Sequence, residues 1–279
     1  MSQTTGDLAN HPGESGTRHP GGWTAIVLAG QRPGIDPLAH AFGQTYKALI
    51  PVGGMPMIRR VVSTLLATPA VGRILILAQE PAMLRQGLDG IEGEPRIAFA
   101  PSGAGISASI RQVAGGDRAP WPVLVTTADH PLLTPAMVEA FVAAAAGADV
   151  AVAMVESATI LTRHPETRRT WLRFRDGAFS GANLFALGGP AAARALDLWA
   201  GAEQDRKKAI RLFWHFGPWL ALRAITRTIG LATALRRAGR RLDLEARLVT
   251  LDFADAAIDV DKPADHALVE RILAAREAT

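Results

Sequence analysis

Cysteine is absent from the 279 residues, which removes disulfides, thiolate zinc sites and cysteine nucleophiles and fits a reducing cytoplasm. No apolar run reaches the roughly 18 residues needed to span a bilayer, since Arg, Gly or Pro interrupts the longest of them. An integral membrane protein is therefore not expected. The opening stretch, Met1 to Gly22, lacks the apolar centre of a secretory signal and is rich in Gly, Pro, Ser and Thr, so it reads as a disordered tail. Acidic residues are missing between Arg206 and Leu242, where Arg and Lys recur. That stretch predicts one strongly positive surface: a solvated face, an anionic-substrate site or a contact with the inner face of a membrane. Nucleic acid is not expected as a partner, because no DNA- or RNA-binding motif accompanies the charge.

What is present points to a single α/β domain over residues 23–275, with 48% hydrophobic and 20% charged residues and a chain long enough for a sizeable core. From Trp23 onward, apolar β-branched runs alternate with helical periodicity, as expected of βαβ units and a mainly parallel sheet. The segments 23–29, 73–77, 96–100, 122–128 and 149–155 read as strands, and 57–67, 81–88, 106–114 and 135–146 as helices. A hairpin is expected around Asp176-Gly177, followed by a helical, basic insertion at about 191–242. Segments 247–253 and 257–260 return to strand character ahead of a terminal helix from about Pro263.

Three segments carry chemistry. In AIVLAGQRPGIDPLAHAFGQTYKALIPVGGMPMI, Gly30 and Gly34 would let main-chain N–H groups approach phosphate oxygens, and Arg32 and Lys47 could neutralise a triphosphate. A plain tight turn explains the glycines equally well, and the loop is neither a Walker loop nor GxGxxG. In LVTTADHPLL, a buried strand ends in Asp129, a position suited to a hard cation, or else to capping the next helix. In AIDVDKPADHALVE, Asp259 and Asp261 would share one face of a strand, with Asp261 preferred as the second carboxylate; alternatively Asp261 initiates the terminal helix. Carboxyl ends of parallel strands gather ligands, so the first two segments are expected in one crevice.

Taken in order, Leu28-Ala29-Gly30, Lys47 with ALIPVGGMPMI, Asp129 in ADHPL, SGANLFAL around Asn183, and DVDKPAD resemble the GT-A-like nucleotidyltransferases, especially those similar to the molybdenum-cofactor guanylyl- and cytidylyltransferases. The resemblance implies a three-layer, Rossmann-like core and transfer of NMP from an NTP, CTP or GTP being favoured, to a small phosphorylated acceptor with release of pyrophosphate. It implies that Leu28, Ala29 and Gly30 hold the triphosphate, that Lys47 contacts phosphate, and that Asp129 and Asp261 bind Mg²⁺. Pro101, Ser102, Gly103 and Ser109 would face base and ribose, and Asn183 the acceptor. The chain departs from the family in having Ile35 where an Arg is usual and a longer spacing to Lys47; Arg32 is the substitute cation.

Candidate acceptor contacts are Arg163, His164, Arg168, Arg169, Lys207 and Lys208, and the acceptor is a sugar phosphate, a lipid head-group phosphate or a cofactor precursor. Two other readings compete. Asp259-Val260-Asp261 spells the DxD of GT-A glycosyltransferases, although such a motif is expected mid-chain. A catalytically silent scaffold of the same fold, contacting anionic membrane through its basic helices, is the other.

Overall fold

A computed structural model of the protein describes residues 22–31, 34–103, 105–203 and 218–278. The tail expected over residues 1–22 therefore lies almost wholly outside the described residues, as do Arg32, Lys207 and Lys208.

Strand β1 (Trp23–Leu28, WTAIVL) is apolar at nearly every position and almost entirely buried, as a central parallel strand covered on both faces must be. Helix α1 (Pro37–Ala41) follows, capped by the Asp36 carboxylate, which accepts from the N–H groups of Leu38 and Ala39. A small antiparallel ribbon, β2 (Pro51–Val52) with β3 (Met55–Pro56), leads into α2 (Met57–Leu66). That helix buries Met57, Ile58, Val61, Val62 and Leu65, one stripe at helical spacing. The chain continues through β4 (Val71–Ala78), α3 (Pro81–Leu84), β5 (Ile97–Pro101), α4 (Ile106–Val113), β6 (Val123–Thr127), α5 (Pro135–Ala145), β7 (Val150–Glu156) and α6 (Ser157–Arg163). Then come β8 (Leu172–Phe174), β9 (Gly177–Leu187), α7 (Ala193–Glu203), α8 (Pro218–Ile225), α9 (Leu231–Arg240), β10 (Ala246–Thr250) and α10 (Pro263–Glu277).

The sheet runs β10-β7-β9-β6-β1-β4-β5, with β8 paired to β9. Neighbours β6-β1-β4-β5 and β7-β10 are parallel, and β9 is antiparallel to both β6 and β7. Alternate residues feed two cores: Ala25, Val27, Ile74 and Ile76 pack with α2, α5 and α10, while Ile26, Leu75, Leu77 and Val125 pack with α4 and α7. This is the expected three-layer α/β architecture. Because β4 and β5 lie on one side of β1 and β6 on the other, strand order reverses between β1 and β6, the place where open α/β sheets form a ligand crevice at their carboxyl ends.

One expected strand does not form. Residues 254–257 make a short 3₁₀ turn and 258–262 an irregular loop, because the loop pairs with the end of β6 through a single bond, Val260 N–H to the Asp129 carbonyl at 3.0 Å. Asp259 and Asp261 consequently do not share a strand face.

Candidate nucleotide site at the carboxyl ends of β1 and β6

The loop after β1 is held from both sides. Ala29 donates its N–H to Leu77 O at 2.9 Å, and Ala128 donates to Leu28 O at 3.0 Å. Beyond them the Gln79 side chain clamps the next peptide: Gln31 N–H donates to Gln79 Oε1 at 3.1 Å and Gln79 Nε2 donates to Gln31 O at 2.8 Å. A β-carbon at Gly30 would sit 3.0 Å from the Gln79 amide atoms, so a larger residue there would push that amide aside by a few tenths of an ångström. Gln79 was not among the residues expected from sequence. Its signal is register: Leu77 lies opposite Leu28 in the parallel pair, which sets Gln79 beside Gly30.

Lys47 opens a 3₁₀ turn, Lys47–Leu49, whose Leu49 is buried. Its ammonium donates to Asp129 Oδ2 at 2.6 Å and to Asp261 Oδ1 at 2.5 Å, bridging carboxylates separated by more than a hundred residues of sequence. Burial pulls the Lys47 pKa down, but the charges and hydrogen bonds of Asp129 and Asp261 outweigh it and hold the group above its ordinary value, so it stays cationic. The second Asp129 oxygen, Oδ1, is buried and has no hydrogen-bond partner among the described residues.

Asp259 points elsewhere. Its carboxylate pairs with the Arg169 guanidinium and accepts from Asn183 Nδ2 at 2.8 Å. Burial raises the Asp259 pKa, and Arg169 together with Asn183 more than reverses this, leaving the acid below its ordinary range. Asn183 takes a left-handed backbone, φ 49°, which asparagine tolerates better than most residues. Arg169 is thus committed to Asp259, with Asp265 a further 4.0 Å contact, rather than free for an acceptor phosphate. Arg163 and Arg168 remain exposed.

Pro101, Ser102 and Gly103 lie at the carboxyl end of β5, beyond the β4 edge of the crevice. The Ser102 hydroxyl is buried without a hydrogen-bond partner among the described residues. Ser109, by contrast, spends its hydroxyl on the loop: it accepts from Gly103 N–H at 2.8 Å and donates to Gly105 O at 2.6 Å. His164 is likewise engaged, its Nε2 lying 2.6 Å from Asp255 Oδ1, while Arg276 donates to Asp255 Oδ2 at 2.6 Å. This buried cluster ties α6 and α10 to the turn that precedes the Asp259–Asp261 loop. His130, next to Asp129, is 1% exposed, and burial pulls its pKa down to about 4.

Two carboxylates converge on one cation, Lys47, and one of the Asp129 oxygens is buried without a partner among the described residues. No cluster of three or more His, Asp or Glu able to hold a metal occurs among the described residues. This donor set fits Mg²⁺, which typically takes one or two protein carboxylates and fills its remaining positions with water and phosphate oxygens.

The fold is that of a three-layer α/β protein with the Lys47–Asp129–Asp261 cluster at the carboxyl edge of its sheet. Residues 25–213 match the MobA-like NTP transferase domain, and the chain belongs to that family; as a member it is a nucleotidyltransferase that uses an NTP. No functionally curated protein matches it. Among solved structures, a hypothetical transferase from Thermus thermophilus shares 29% identity, with 88% of this chain and 99% of that one covered at a TM-score of 0.73. CMP:2-keto-3-deoxy-manno-octonic acid synthetase, complexed with CTP, shares the fold at 15% identity and a TM-score of 0.56, covering 91% and 99% of the two chains. 4-Diphosphocytidyl-2C-methyl-D-erythritol synthase from Anaerococcus prevotii does so at 11% identity and 0.54, covering 91% and 97%. No described helix is long and apolar enough to cross a membrane.

Proposed function

We propose that the protein transfers NMP from an NTP, with CTP or GTP favoured, to a small phosphorylated acceptor in a Mg²⁺-dependent reaction that releases pyrophosphate. The observation that carries this reading is the Lys47 ammonium set between Asp129 and Asp261 at 2.6 and 2.5 Å, at the point where strand order reverses.

In-line attack of an acceptor phosphate on the α-phosphorus brings two anions together, so the protein's task is positioning and charge neutralisation. The acceptor phosphate is ionised near neutral pH and needs no general base. In the loop clamped by Gln79, the N–H groups of Ala29 and Gln31 are spent on Leu77 O and Gln79 Oε1, which leaves the Gly30 N–H for the triphosphate. Lys47 stays charged and meets the phosphate charge that grows as the α–β bridge breaks. Asp129 and Asp261 would hold the Mg²⁺, which when bound neutralises phosphate oxygens and eases departure of pyrophosphate. Asn183, oriented by Asp259 and Arg169, stands on the acceptor side.

The glycosyltransferase reading requires the DxD carboxylates to serve one nucleotide-bound metal. Asp259 instead faces Arg169 and Asn183 while Asp261 faces Lys47, which favours the nucleotidyl route. The test is a matrix of the four NTPs against pooled sugar phosphates, lipid head-group phosphates and phosphorylated cofactor precursors, read as pyrophosphate formed. Release that needs both an NTP and an acceptor supports the proposal. NTP binding without pyrophosphate in any combination leaves the silent scaffold as the better account.

A further inference from the structure

Helix α8 carries an apolar stripe that no described residue covers. Trp219 is 74% exposed, Leu222 46% and Ile225 72%, and their spacing places them along one side of the helix. Ala221 turns inward and is buried. Cations accompany the stripe along the chain: Arg223 stands one turn from Trp219, Arg227 follows the helix, and Arg236, Arg237, Arg240 and Arg241 are exposed on and just after α9, which touches α8. Among the described residues none of these six arginines is within ion-pair distance of a carboxylate. The nearby Asp176 is spent on the fold, since both its oxygens accept from Leu231 N–H at 3.0 Å.

The position of this face is fixed by the β8–β9 turn. Arg175 N–H donates to Ile229 O at 3.1 Å, and together with Asp176 it pins the α8–α9 junction to that turn. Strand β9 leads from the turn to Asn183, so the face lies on the side of the crevice assigned to the acceptor.

We propose that α8 and the exposed arginines on and after it dock the enzyme on an anionic lipid bilayer. Exposed apolar side chains led by a tryptophan, on a helix that carries one arginine and is followed by five more, suit insertion at the level of the head groups, where arginines meet lipid phosphates. A second copy of the chain is a poor occupant. A two-fold contact would set the same arginines against themselves, and like charges at close range repel. This docking goes beyond the transfer chemistry and is read without turnover, so the two fail separately.

The test is cosedimentation of the full chain at low salt with vesicles of two parts phosphatidylcholine to one part phosphatidylglycerol, alongside pure phosphatidylcholine. Binding to the anionic vesicles alone, weakened by added salt, is expected. Each cation near the surface contributes roughly fivefold in partition, so Arg236→Glu with Arg237→Glu should lower binding by more than tenfold. Trp219→Ser with Leu222→Ser and Ile225→Ser should abolish it. Both variants keep the parent's circular dichroism and its pyrophosphate release from soluble substrates, because these side chains lie on the surface. A protein that stays in the supernatant at low salt overturns the proposal. So does binding that survives the serine substitutions, or a dimer by light scattering that those substitutions convert to monomer.

Discussion

The main-chain N–H of Val260 donates to the carbonyl of Asp129 across 3.0 Å, docking a late loop onto the end of a central strand and splitting its two acids. On one side of that bond Asp261 reaches Lys47, and on the other Asp259 reaches Arg169 and Asn183. The two carboxylates therefore have different work.

Asp129→Asn and Asp261→Asn should each lower kcat by about a hundredfold or more with the fold intact, because each removes charge from the cation site while keeping side-chain volume. Asp259→Asn should act chiefly on stability. It leaves the Arg169 guanidinium, whose side chain is 10% exposed, with only the more distant Asp265 as counter-charge, at a cost of about 2 kcal/mol. Thermal melts and steady-state kinetics on the three variants check this. An Asp259→Asn enzyme with a normal melt and no turnover would reverse the assignment.

Lys47→Ala should reduce kcat at least about tenfold, or roughly 1.4 kcal/mol, since no other described cation bridges Asp129 and Asp261. Lys47→Arg should restore only part of it, because a planar fork cannot reproduce a point charge between two carboxylates. Chelation by EDTA should abolish pyrophosphate release and added Mg²⁺ should restore it. A Lys47→Ala enzyme within about threefold of the parent, less than about 1 kcal/mol, places the lysine outside the chemistry.

Much of this was legible in the sequence because apolar runs such as WTAIVL and the stripe of α2 report burial directly. The strand–helix alternation thus yields the three layers, and the DG turn yields the β8–β9 hairpin. The 257–260 segment misled because alternating apolar residues are equally compatible with a loop that buries Ala257, Ile258 and Val260 while forming a single main-chain bond to its neighbour. Long-range partners were not legible either. Nothing local shows that Arg169 lies against Asp259, ninety residues away, whereas the closure of Ser109 onto Gly103 and Gly105 is a local contact at the start of α4. Gln79 was recoverable only once β1 and β4 were placed in register.

Gly30 and Gln79 should behave as one unit. Gly30→Ala puts a methyl 3.0 Å from the Gln79 amide and should disturb the clamp on Gln31, raising KM for the NTP by about tenfold with little change in the melt. Gln79→Ala removes the clamp and should raise KM several-fold. Combined, the two should cost less than the product of the single effects, because the alanine no longer meets the amide, with a coupling of about 0.5–3 kcal/mol. Strictly multiplicative effects would mean that Gln79 does not shape the phosphate loop.

His130 should make the protein less stable in mild acid. Its ring is 1% exposed, and burial lowers its pKa from 6.5 to about 4. Between these values the unfolded chain binds a proton that the folded chain refuses, so stability rises with pH across the window and falls on acidification. The contribution is full above pH 6.5 and is lost progressively down to about pH 4, amounting to about 3 kcal/mol. Asp255 and Asp259 are also shifted, but downward from 3.8; as acids with depressed values they hold their stabilisation until the pH falls below that range. Their effect therefore lies beneath the histidine window. Urea unfolding midpoints measured from pH 7 to 4 should decline in the parent and remain nearly level in His130→Leu, a neutral replacement that cannot take up the proton. An equal decline in both proteins would show that another group carries the acid sensitivity.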